Sequence, residues 1–285
     1  MGIFSGLEKL GIKKSEQLEI YPHEEEKVQE TKKETSTGVP KTEVKEEEFL
    51  FDKTHICPLC DTTFTTRTVK IGKTKALAHD SDLRPRYRNI DVLKYDAIVC
   101  PKCGFAAITR YFKPVSSTQA KWIKEQISDN FSGIEIPADK YTYEQAILMH
   151  KLALMTAVVK RAKTSERAYC CLKLAWLYRG MKEEQKDEAL KADCRKNEED
   201  LIRKAYEGFT EAFSTEAFPM CGMDELTVTY LVADLARQLK EYEVAQRWIS
   251  KVIVSRSANE RMKDKARMLK DQIMAEKSQE EEKTE

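Results

Sequence analysis

The sequence predicts an α+β protein: a small β-rich, zinc-ribbon-like domain followed by an all-α domain of TPR-like (tetratricopeptide-like) helical repeats. Three observations carry that expectation. Two Cys-x-x-Cys pairs, Cys57/Cys60 and Cys100/Cys103, sit among β-favouring runs. Apolar residues recur at three- and four-residue spacing from Thr118 almost to the end. A charged stretch with little to bury separates this body from the opening residues.

Composition bounds the function. The 285 residues suffice for one or two globular units. Lys and Arg number 49 against 48 Asp and Glu, so whole-chain charge selects no class of partner. No run of eighteen apolar residues occurs, so no membrane span is expected. The opening "MGIFSGLEKLGIKK" is too polar for a secretory signal, and Gly6 stands where a myristoylation site carries its hydroxyl. A cytoplasmic protein with reduced thiols is therefore expected, its eight cysteines serving as metal ligands and core residues.

Residues 1–12 form a short amphipathic segment with Ile3, Phe4, Leu7 and Leu10 at helical spacing. Too short to hold alone, it is either a frayed end or an element that docks on the body or on a partner. Residues 13–48, with "EEEKVQETKKETSTGVPKTEVKEEE", predict a solvated linker. Residues 49–115 form the β-rich unit: "TFTTRTVKI" and "KYDAIVC" read as strands, and the polar "DSDLRPRYRNID" between them, broken by Pro85, reads as a loop. Residues 116–275 read as helical and 276–285 as a solvated tail.

The cysteine pairs predict one structural zinc ion. Zinc takes four ligands in a tetrahedron, and each Cys-x-x-Cys turn delivers two: Cys57 with Cys60, Cys100 with Cys103. Proline follows the first cysteine of both pairs, and Gly104 follows the last. The gap from Cys60 to Cys100 exceeds the common ribbon spacing of roughly 15–20 residues. Doubling a loop adds only about 0.6 kcal/mol of closure cost, whereas structural zinc supplies roughly 10–16 kcal/mol. A redox pair would open a helix, which neither does. Catalytic zinc needs an open position that four thiolates fill, and Val99 stands where the deaminase pattern has proline. His55 and His79 are then exposed loop residues, and Cys170, Cys171, Cys194 and Cys221 core thiols.

Between Cys57 and Lys113 there are eleven Lys or Arg against five Asp or Glu. The densest patch, Arg84, Arg86, Tyr87 and Arg88, has two readings. It is a loop whose arginines pair with Asp80, Asp82 and Asp91, or a nucleic-acid contact in which Tyr87 stacks a base and the arginines neutralise phosphates.

In the helical region Ala233, Ala236, Leu239, Tyr242, Ala245, Ile249 and Val252 fall into a helix-turn-helix register similar to a TPR unit, with Lys240 where glycine is usual. Weaker echoes precede it at irregular spacing, so a divergent array of about three hairpins stands against a closed bundle. In an array, first helices line a concave face, which places Trp176, Arg179, Tyr230, Asp234 and Arg237 in a peptide-binding groove; Trp176 as plain core is the competing reading.

The stretch from "ICPLC" through "DSDLRPRY" to "YDAIVCPKCGFAA" resembles a bacterial family known as domain-of-unknown-function family 2225. The shared motifs fall on Cys57, Cys60, Asp80, Asp82, Tyr87, Tyr95, Asp96, Cys100, Cys103 and Gly104. The resemblance implies a double-cysteine zinc region followed by TPR-like helices in a bacterial cytosolic protein, and no mechanism. With no nucleophile or acid–base constellation in view, the expectation is a non-enzymatic protein that binds protein or peptide partners, with nucleic acid as the alternative.

Overall fold

Two β-hairpins, each closed by a Cys-x-x-Cys turn, open the body of the computed structural model, which describes residues 2–12, 18–21 and 45–284. Strand β1 (Leu50–Ile56) pairs antiparallel with β2 (Thr63–Val69), with Leu50 opposite Val69 and Ile56 opposite Thr63. Strand β3 (Ala97–Val99) pairs antiparallel with β4 (Ala106–Ile108). The first hairpin is rich in Thr and largely solvated on β1, whereas every residue of β3 and β4 is buried. Short apolar strands of that kind need cover on both faces, and α2 supplies part of it.

Seven α-helices follow: α1 (Ser117–Gln126), α2 (Tyr143–Val159), α3 (Thr164–Glu184), α4 (Glu188–Thr215), α5 (Glu225–Gln238), α6 (Tyr242–Val254) and α7 (Glu260–Thr284). Local chemistry sets their starts. Ser116 with Gln119 and Thr142 with Gln145 form capping boxes on α1 and α2, and the Asp187 and Asp224 side chains accept first-turn amides of α4 and α5. Helix α2 is apolar almost all round and is buried accordingly, between the second hairpin and α3. From α2 to α7 each helix packs on the next in sequence. Among the described residues the fold is thus mixed, two small antiparallel sheets with seven α-helices. Among the described residues no helix is long and apolar enough to cross a membrane.

The α5–α6 turn explains why glycine is usual at position 240. Lys240 adopts φ +63°, the left-handed region, where an L side chain costs roughly 1–2 kcal/mol. Its bridge to Glu280 is exposed on both sides and returns little. Lys240→Gly should therefore raise stability by about 1 kcal/mol, read as a higher urea midpoint at unchanged slope.

Elsewhere the structure departs from the expected boundaries. The N-terminal stripe is docked: Phe4, Leu7, Leu10 and Ile12 are buried, and the Lys151 ammonium of α2 donates to the Ser5 carbonyl at 2.6 Å. Most of the expected linker 13–48 lies outside the described residues, but Ile20 and Tyr21 within it are buried on α3, where Arg167 donates to the Ile20 carbonyl and stacks over the Tyr21 ring. A second piece, Glu46, accepts from Lys94 and Tyr95. The segment expected as a tail continues α7 to Thr284, and along it Lys277 pairs with Glu243 and Glu281, and Glu280 with Lys240. Between α1 and α2, residues 131–142 are irregular chain without helix or strand, and Tyr141 stacks on Tyr95, next to β3.

One buried group makes the core pH-sensitive. His150 on α2 has Nδ1 2.9 Å from the Ala146 carbonyl, which fixes the proton on Nδ1, and Nε2 has no partner. Burial pushes its pKa down to about 4. The unfolded imidazole takes up a proton near pH 6.5, so between there and pH 4 the unfolded state binds more protons and stability falls as pH falls. The group alone should remove about 3 kcal/mol between pH 7 and pH 4. His150→Leu should flatten that part of the urea stability–pH curve; parallel curves would contradict the assignment.

Candidate metal centre

The two cysteine turns share one local geometry. The Cys57 amide donates to the Thr62 carbonyl at 2.9 Å and the Cys100 amide to the Phe105 carbonyl at 2.9 Å. The Asp61 amide donates back to the Cys57 carbonyl and the Gly104 amide to the Cys100 carbonyl. The residue after each second cysteine is left-handed, φ +57° at Asp61 and +72° at Gly104. Aspartate tolerates that conformation, and glycine meets a second demand. A Cβ on Gly104 would stand 2.8 Å from the Phe131 ring.

These turns bring four sulfurs to one point. Cys57 Sγ lies 3.6 Å from Cys103 Sγ, Cys60 Sγ lies 3.6 Å from Cys100 Sγ, and all four are within 4.8 Å of one another. Such a group could hold one metal ion. Backbone amides of Leu59 and Cys60 face the Cys57 sulfur, and those of Lys102 and Cys103 face the Cys100 sulfur. That is the amide cradle a bound thiolate uses. The sulfurs hydrogen-bond to one another, which holds the Cys57 and Cys103 thiols above their ordinary range and the Cys100 thiol, bonded to both, below it. Neither histidine joins the cluster. His55 is on β1, half-buried against Phe64 and Phe112 and bonded to Thr66, and His79 is exposed. Cys170, Cys171, Cys194 and Cys221 are buried and unbridged.

The insert between the pairs does something the sequence did not announce. Residues 75–88 fold back on themselves, with Leu77 and Arg86, Asp80 and Arg84 joined through the backbone, and the tip enters the helical half. Asp82, 0% exposed, accepts from Trp176 Nε1 at 2.9 Å, Arg179 Nη2 at 2.7 Å and Gln238 Nε2 at 3.2 Å. Burial pushes its carboxyl up, but the Arg179 charge and these donors bring it below the usual range. The Ser81 hydroxyl donates to Asp234 at 3.0 Å and accepts from Arg237 at 3.3 Å. Asp80 takes both Arg86 Nε and Nη2 at 2.7 Å and touches Arg179 at 3.3 Å.

The expected open groove is therefore corrected. Trp176, Arg179, Asp234 and Arg237 surround the chain's own loop, and Tyr230 is buried in a cluster with Ala245, Ile249 and Leu269. The nucleic-acid patch is corrected too. Arg84, 1% exposed, pairs with Asp91 at 2.9 Å and Glu183 at 3.4 Å, and Arg86 with Asp80 and Glu183. Two of the three arginines meant for phosphates are paired within the chain; Arg88 is exposed, and Tyr87, meant to stack a base, is half-buried. Gly180, inside α3, was the available signal for this docking. A Cβ there would meet Tyr143 Oη at 2.6 Å and Arg84 Nη2 at 2.7 Å, and a glycine inside a helix marks such close approach.

The profile of the family described as "Uncharacterized protein conserved in bacteria (DUF2225)" matches residues 50–273. The chain belongs to that family. Neither the curated proteins nor the solved structures gave a match. In this DUF2225 chain four of the motif residues other than cysteine join the two-hairpin unit to its surroundings. Asp80 and Asp82 bind α3, Asp96 accepts from Lys173 of α3 at 2.5 Å, and Tyr95 bonds Glu46.

Proposed function

We propose that the protein is a non-enzymatic cytoplasmic scaffold, stabilised by one zinc ion, that binds protein partners through a TPR-like helical array. Four thiolates about 2.3 Å from zinc stand about 3.8 Å apart at tetrahedral angles, and the 3.6 Å sulfur separations suit that. Four sulfurs close the shell and leave no position for water or substrate, which favours a structural ion. When bound, zinc supplies folding energy of roughly 10–16 kcal/mol. Cys57, Cys60, Cys100 and Cys103 hold it, and the backbone amides beside them orient their sulfurs.

The partner-binding half rests on one observation: helices α3 and α5 already grip a turn of chain, Asp80–Leu83, through Trp176, Arg179 and Arg237. Tryptophan and arginine are the residue types that anchor binding surfaces. Native mass spectrometry should find one zinc per chain, and pull-down from lysate should retain protein partners after nuclease treatment. Capture that vanishes with nuclease would overturn the reading.

A further inference from the structure

We infer that the groove between α3 and α5 is a receptor for a short acidic segment of the Asp-x-Asp type, occupied here by the chain's own Asp80–Asp82 and open to a partner peptide of that chemistry when this tip withdraws. The inference rests on the partner-binding reading above and gives the partner a chemistry.

Three observations carry it. First, the donors converge on carboxylates. Trp176 Nε1, Arg179 Nη2 and Gln238 Nε2 all reach one oxygen of Asp82, and Arg179 Nη1 reaches Asp80. A contact made for stability alone would be served as well by apolar packing, since buried ion pairs add little net stability.

Second, the receptor stands without the loop. Arg179 is held from the other side by Glu198 of α4, through Nε at 2.6 Å, and Nη2 also reaches Gln238 at 3.0 Å. Arg237 is held by Asp234 at 2.8 Å and by Glu276 of α7 at 2.8 and 3.0 Å. Helical partners orient both guanidinium groups, so a site vacated by the tip remains aimed at a carboxylate, and preorganisation of that kind strengthens binding.

Third, one arm of the tip is open to solvent. Lys75 to His79 are exposed, while the returning arm is held by Arg84 on Asp91 and Glu183 and by Arg86 on Glu183, so withdrawal has to break these pairs. The tether gives the tip a high effective concentration at the groove, in the millimolar range for short flexible links. A free peptide therefore competes poorly until the tip is weakened.

The test uses the full zinc-loaded chain and a fluorescein-labelled peptide of residues 77–87, LAHDSDLRPRY. Asp82→Ala should bind the peptide at least tenfold more tightly than the unaltered protein, and adding Arg179→Leu should abolish that gain. A peptide with asparagine at both aspartates should not bind. Should Asp82→Ala not fold, Ser81→Ala, which loses only the hydroxyl contacts to Asp234 and Arg237, takes its place with the same comparison. Equal binding to variant and unaltered protein, or binding that survives Arg179→Leu, would overturn the inference. If the peptide fails while nuclease-resistant capture of partners persists, this inference falls alone; if both are lost, the scaffold reading falls with it.

Discussion

Replacing Cys100 by serine should abolish metal retention and remove most of the stability of the β-rich half, on the order of 5 kcal/mol or more. A serine hydroxyl does not ionise near neutral pH, so three sulfurs would remain around the ion. The hairpins it joins cannot stand alone: each is a two-stranded sheet, and isolated two-stranded sheets are marginal in water. β1 is mostly solvated and buries little to compensate. The loss should spread to the helices, because β3 and β4 pack on α2. Metal content and thermal unfolding check the outcome. A metal-free variant with the melting temperature of the unaltered protein would contradict it.

Asp82→Ala should cost about 3–5 kcal/mol, the penalty for breaking one side of a buried ion pair. Asp82 is fully buried, and its removal leaves the Trp176 indole N–H without its acceptor and Arg179 with less negative charge. Arg179 keeps Glu198 and Gln238, which places the expected value at the lower end. Urea unfolding measures it, and Asp82→Asn, which retains an acceptor oxygen, should cost less. Equal and small losses in both variants would show that the tip adds no stability to the helical half.

What the sequence made legible follows from range. Cys57/Cys60 and Cys100/Cys103 announce themselves because each turn is local and the chemistry repeats, and the helices from α2 to α6 because periodicity is local. The starts of α1 and α2 were equally local, written as Ser116-x-x-Gln119 and Thr142-x-x-Gln145. The docking of Asp82 onto Trp176 spans 94 residues between polar side chains, and that kind of pairing has no period to read. The same holds for Lys151 on Ser5, 146 residues apart, and for Arg167 on Ile20. Residues 276–284 read as a tail because their stripe is charged, and their partners lie elsewhere in the chain, Glu243 on α6 and Lys240 in the α5–α6 turn.

Zinc-edge X-ray absorption on the purified protein tests the central claim most directly. The account predicts one zinc per chain with a single shell of four sulfurs at about 2.3 Å. A shell containing nitrogen or oxygen, or a cooperatively folded protein that holds no metal, would contradict it.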